Sequence, residues 1–218
     1  STAQDFLCLL PSQRLTKGIP RSDEGSTVSV AKALEGAGRR RVVVVFVSHC
    51  WLGVEASPPH PDDESKSKAK ALSEFAEWYC SFWGGEIELF FWIDYSCLDR
   101  NRRDVGVALL PVFIASCAAV VLWHTPNLST CSWTSMERVL SYSYCDGGLT
   151  PYVIDAKFEN TNQRPRWDPR KLPDPRLHDK TTLVESSLDE QVVQQLLECV
   201  SAVPAFEIFP DRQCISFG

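Results

Sequence analysis

The chain contains no CxxC pair, no GxGxxG or Walker phosphate loop, no internal repeat and no low-complexity tract. Each absence removes a class of function. His49, Cys50, His60, Cys97, His124 and Cys131 are numerous enough to hold a metal. No two of them have zinc-motif spacing, so no metal or cofactor is expected. Without either glycine-rich loop, a bound nucleotide would be held by some other device. Long apolar runs are also missing. The longest, Ala108 to Trp123, is shorter than a membrane span and carries Pro111, so no membrane contact is expected. The opening "STAQDFLCLLPSQR" lacks the basic, apolar and small-residue order of a secretory signal. Its abrupt start, with no initiator Met, suggests a fragment of something longer. Positive charge is in deficit: 22 Lys and Arg stand against 28 Asp and Glu, for a formal charge of −6. That balance argues against a nucleic-acid surface, and "GRRR" (Gly38 to Arg41) and "RNRR" (Arg100 to Arg103) read as solvated loops.

What is present suits one globular unit. The 218 residues are 44% hydrophobic and 23% charged, enough to build a sizeable core. Nine cysteines, an odd number in a chain too long to need staples, read as reduced thiols in a cytoplasmic protein.

Residues 1–39 mix Pro, Gly and Ser around one weakly helical piece, "TVSVAKALEGA", and read as an N-terminal extension. Residues 40–155 carry a regular alternation. Val42 to Val47 is an unbroken β-branched and aromatic run, the pattern of a strand covered on both faces at the centre of a parallel sheet. After a polar loop, Asp62, Asp63 and Glu64 favour the positive end of a following helix. In that helix Leu72, Phe75, Ala76, Tyr79 and Trp83 recur on one face. Gly84-Gly85 end it, and "IELFFWIDYSC" gives a second strand that stops at Asp94. "LLPVFIASC" reads as a short helix with Pro111 tolerated in its first turn. "AAVVLWH" is a third strand. A helix follows on which Trp133, Met136, Glu137, Leu140 and Tyr144 share a face. "GGLTPYVID" supplies a fourth strand. Such alternation predicts a right-handed, doubly wound α/β sheet of about four to five parallel strands with helices on both faces. Residues 156–218 form a C-terminal part of the same domain. "NTNQRPRWDPRKLPDPRLHDK" has no apolar period and reads as a loop or lid. Ser187 to Val203 reads as a closing helix, and Ala205 to Phe209 as an edge strand.

Ligands of open parallel sheets bind beyond the carboxyl ends of the strands. Ser48-His49-Cys50-Trp51 follows the first strand, Asp94-Tyr95-Ser96 the second, and His124-Thr125-Pro126-Asn127 the third. Three polar and aromatic clusters therefore converge on one rim. Cys50 beside His49 suggests a cysteine nucleophile. Adjacent residues at a strand end, however, point to opposite sides and cannot share a proton. Glu137 is the sharpest feature, because a carboxylate on an apolar stripe loses hydration unless it is paired or faces a polar cavity. Two readings stand open: Glu137 borders the stripe and reaches out to solvent or an Arg, or it serves a site.

The order "VVVVFVSHCW", "FFWIDYSCLDRNRRDVGVALLPVFIASC" and "AAVVLWHTPNLSTCSWTSMERVL" resembles the TIR (Toll/interleukin-1 receptor-like) domain, in its divergent microbial and protist branch. Ser48 matches the Ser after the family's first strand. Asp94, Gly106 and Ile114 to Cys117 match its second strand and helix, with Ser116 one place early. Cys131 to Glu137 matches its Ser-x-Trp-x-x-x-Glu in the Ser132-Trp133 pair and the Trp-to-Glu spacing. The match covers roughly residues 40 to 155. The resemblance implies a flavodoxin-like sheet and self-association through TIR-TIR contacts. In the family's enzymatic branch it implies cleavage of NAD, as substrate, to nicotinamide and linear or cyclic ADP-ribose in signalling or immunity. Glu137 would then be catalytic, with Ser48, His49, Trp51, Asp94, Tyr95 and Trp133 binding the substrate. The loop Arg100 to Arg103 would lie near the diphosphate. The segment from Glu159 to Lys180 departs from the family, which continues there through another helix and strand. Two alternatives accompany this reading: a non-catalytic TIR signalling and assembly module, and a nucleoside deoxyribosyltransferase-like enzyme.

Overall fold

The structure is a computed structural model that describes residues 8–51, 59–99, 101, 103–124, 132–144, 152–155 and 167–169. In chain order the elements are β1 (Cys8–Pro11), β2 (Val28–Ser29), α1 (Val30–Ala37), β3 (Arg41–Ser48), α2 (Ser67–Phe82) and β4 (Ile87–Trp92). They continue as α3 (Asp94–Cys97), α4 (Arg103–Ala108), α5 (Leu110–Ala115), β5 (Ala119–His124), α6 (Ser132–Tyr144), β6 (Tyr152–Asp155) and β7 (Trp167–Pro169). The strands form one mixed sheet in the order β2-β1-β4-β3-β5-β6-β7. Its centre, β4-β3-β5-β6, is parallel. The flanks β1 and β7 pair antiparallel.

β3 lies in the middle, paired along Arg41 to Phe46 with β4 and along Val45 to Ser48 with β5. Val42, Val43 and Val45 to Val47 are all buried, so the continuous apolar run is a strand covered on both faces. Side chains alternate along it. Phe46 stacks on Trp92 (ring centroids 5.2 Å apart), and Trp92 meets Phe113 of α5 at 5.0 Å. The next residue back along β4, Phe91, meets Phe75 of α2 instead, at 6.3 Å. Helices α2 and α5 therefore cover opposite faces of an α/β sheet.

The acidic loop before α2 acts as expected. Asp62 accepts from the Lys68 and Ala69 amides at 2.9 Å, and Asp63 from the Ser67 amide at 3.0 Å. Three amides that have no partner within the helix are thus bonded by carboxylates at its positive end. Leu72, Phe75, Ala76 and Tyr79 are buried as the stripe requires. Trp83 is a correction. It caps the C-terminus before Gly84 and Gly85, both at positive φ, and is 43% exposed. The glycine turn ends the helix one position before the stripe would bury it.

Two further corrections concern the edges. The sheet has seven strands rather than four or five, because β2, β1 and β7 are two to four residues long. Strands that short show no period. The segment expected as an N-terminal extension supplies β1, β2 and α1, with Leu9, Leu10, Leu15, Ile19, Ala33 and Ala37 in the core. Trp167–Pro169, within the stretch read as a loop or lid, pairs with β6 as an edge strand. The readings for Ser187 to Val203 and Ala205 to Phe209 lie outside the described residues. No helix among the described residues is long and apolar enough to cross a membrane.

Gly106 has a packing reason within α4. A Cβ there would stand 2.4 Å from Leu98 Cδ2, and Leu98 packs against the core. Gly106→Val is expected to lower stability by about 1–3 kcal/mol, read as a drop in the denaturant midpoint at unchanged slope.

Candidate functional site

The parallel strands leave β3 in two directions: β3-α2-β4 winds to one side, and β5 then lies on the other. The crevice of such a sheet is where the winding reverses, beyond the carboxyl ends of β3 and β5. Ser48 is the last residue of β3, and α6, which follows β5, brings Glu137 to it. The Ser48 hydroxyl donates to Glu137 Oε2 at 2.7 Å, in a buried contact. Glu137 is 1% exposed, so it does not reach out to solvent from the stripe border. Met136 and Leu140 are buried beside it, and Ser141 Oγ donates to the Glu137 carbonyl at 2.7 Å. A carboxylate so placed has a charge-carrying oxygen fixed by an O–H donor at a strand end.

His49 turns to the other side of β3. Lys68 Nζ, wholly buried, donates to His49 Nδ1 at 3.0 Å, to the Cys50 carbonyl at 2.8 Å and to the Pro61 carbonyl. Because an ammonium only donates, His49 Nδ1 is the accepting nitrogen, and Nε2–H donates to Asp94 Oδ1 at 3.0 Å. The ring is therefore neutral. Burial holds its pKa below the ordinary histidine value, and the Lys68 charge pushes the same way against Asp94. Asp94 itself heads α3, where Oδ1 also accepts from the Tyr95 amide at 2.6 Å. Burial disfavours its charge, but His49, the Tyr95 amide and Lys68 outweigh that and keep its pKa below the usual carboxylate value. Burial likewise drives Lys68 down to about 8, against the attraction of Asp62 and Asp94.

The aromatic residues expected on the rim are present. Tyr95 is buried, with Trp51 edge-on at 5.4 Å and His60 at 5.2 Å. Trp51 is 36% exposed and presents the outer face of this cluster. Trp133 is half-buried, one turn before Glu137, and its indole N–H meets no acceptor among the described residues. Cys50 Sγ lies 3.8 Å from Thr134 Oγ1, whereas His49 faces Lys68. The two neighbours point apart, as strand geometry requires.

Seven residues named from sequence thus fall into two polar pairs and an aromatic rim around the end of β3. Residues 125–131 and the His124 side chain, the expected third cluster, lie outside the described residues, as do Arg100 and the Arg103 side chain. Sequence reasoning missed Lys68. The signal was available: Lys68 stands four residues before Leu72, on the same buried stripe. Among the described residues no group of three His, Cys, Asp or Glu side chains could hold a metal ion. No family model, no curated protein and no solved structure matches this chain.

Proposed function

We propose that this chain is a TIR-like NAD glycohydrolase, built on a flavodoxin-like doubly wound sheet and working in the cytoplasm. The observation that carries the reading is a buried carboxylate, Glu137, held by Ser48 at the reversal point of the sheet.

The chemistry needs little more. Nicotinamide leaves a cationic nucleoside as a neutral molecule, so no general acid is required. As the glycosidic bond breaks, positive charge develops on the ribose, and a preorganised negative group lowers that barrier. Glu137 supplies the charge and holds the ribose hydroxyls. Ser48 fixes the carboxylate, so that little reorganisation accompanies the reaction. Trp133 offers a flat face next to it, with a buried indole N–H that meets no acceptor among the described residues, and Trp51 on Tyr95 offers a second flat face at the rim. Water completes the hydrolysis, or the adenine ring attacks in its place to give a cyclic product.

One observation favours the second reading, a TIR-type assembly module. Phe82 is 70% exposed beside Trp78 and the exposed Trp83, an aromatic surface of the kind that partners cover. Self-association and catalysis are compatible.

The test is nicotinamide release from NAD by the protein at high concentration and after forced clustering, beside Glu137→Ala. Release by the wild type and none by the variant is the expected result. Consumption of a deoxynucleoside but not of NAD would transfer the reading to deoxyribosyl transfer, and no turnover of either would leave the assembly role.

A further inference from the structure

Lys68 approaches the end of β3 from the face opposite Glu137. Its ammonium carries three protons and meets three acceptors: His49 Nδ1, the Cys50 carbonyl and the Pro61 carbonyl. The fit is one donor to each acceptor, and only the charged form provides it. A neutral amine has two protons and a lone pair, so one of the three acceptors would lose its bond.

Two of those acceptors belong to the residues directly after Ser48, and the third opens the acidic loop that caps α2. His49 extends the hold to β4 through Asp94 at the start of α3. On the other face, Ser48 holds Glu137. We infer that Lys68 is a positioning residue: by clamping the His49-Cys50 peptide run it fixes Ser48, and through Ser48 it fixes the Glu137 carboxylate. The kinetic consequence rests on the reading of Glu137 as the catalytic group, but the positioning itself is measurable without turnover.

The groups that face Lys68 set when the clamp holds. They are Asp62 and Asp63 in the capping loop, Asp94 on α3, His49 and Cys50 after β3, and the Trp123 ring of β5 at 5.7 Å. Burial lowers the Lys68 pKa to about 8, and the acids and Cys50 oppose that fall. The clamp is therefore charged at neutral pH and loses its third proton under mildly alkaline conditions.

The experiment uses the full chain labelled with ¹³C at the glutamate side-chain carboxyls, with the Glu137 resonance assigned by its loss in Glu137→Gln. In the wild type that resonance is expected to shift with a midpoint near pH 8, following Lys68. In Lys68→Met it should not shift in that range, and kcat for NAD should fall roughly a hundredfold with KM little changed. Asp94→Asn keeps an acceptor for His49 Nε2–H but removes one of the charges that retain the Lys68 proton, so it should move the midpoint to lower pH. That variant decides the matter if Lys68→Met does not fold. A Glu137 resonance that ignores pH across this range in the wild type, or a midpoint unmoved by Asp94→Asn, overturns the inference. If the wild type does not cleave NAD, the glycohydrolase reading falls while the resonance still decides the positioning.

Discussion

Glu137→Gln is expected to reduce NAD cleavage by roughly 10²–10³-fold while leaving the fold intact. Gln has nearly the shape of Glu and keeps an acceptor oxygen for the Ser48 hydroxyl, so the 2.7 Å contact survives in kind. What disappears is the negative charge available to the developing ribose cation. Stability should change little, because two opposing effects meet. A carboxylate that is 1% exposed has lost its hydration, and replacing it with a neutral amide removes that penalty. The new amide N–H₂ must find partners in return. The net change is expected within about 1 kcal/mol, read from chemical denaturation of the two proteins. Lost turnover with unchanged stability identifies a group kept for chemistry. If the variant is instead strongly destabilised and any wild-type turnover persists per folded molecule, Glu137 is a packing residue and the site lies elsewhere.

Lys68→Met is expected to change the pH dependence of stability at its alkaline end. The pKa of Lys68 is 10.5 in a free side chain and about 8 in the fold. Below pH 8 both states hold the proton, and burying the charge opposes folding. Between 8 and 10.5 the unfolded chain binds the proton and the folded chain does not, so the lysine's contribution to stability rises with pH. The full swing is about 3 kcal/mol. Lys68→Met, which keeps the apolar stem and drops the charge, should lack this rise. The wild type should therefore gain on the variant by about that amount between neutral pH and pH 10.5, measured as the difference in unfolding free energy from urea titrations. Parallel curves for the two proteins would mean that Lys68 titrates as an ordinary surface lysine. The same proton loss that favours the fold as a whole removes one bond from the clamp at β3. Maximum stability and an intact site therefore lie at different pH.

The parts of the molecule that could be read from sequence were those with long patterns. The β-branched and aromatic run Val42 to Val47 had the pattern of a doubly covered strand, and the spacing of Trp133, Met136, Glu137 and Leu140 put a carboxylate among apolar neighbours. The pairing of Ser48 with Glu137 was not legible as a contact, since 89 positions separate them and no local rule sets that distance. Lys68 went unnoticed because a lysine near the start of a helix ordinarily carries its charge into solvent along an aliphatic stem. Here the acidic loop closes over it. The strands β1, β2 and β7 escaped because their pairing comes from a neighbour's open edge rather than from their own sequence. Trp83 misled because periodicity does not mark where a glycine pair ends a helix.

The antiparallel pairing of β1 with β4 also constrains how the chain is made. Leu10 pairs with Phe91, so until β4 has emerged from the ribosome β1 can pair only with the two-residue strand β2. Until then Leu9 and Leu10, both buried in the finished fold, remain exposed on the growing chain. Sheet completion therefore follows rather than leads synthesis of the central strands, and the high sequence separation of this contact slows its closure. A nascent chain stalled before Phe91 would keep the β4-facing side of β1 open to chaperones, and one released after it could close that edge by itself.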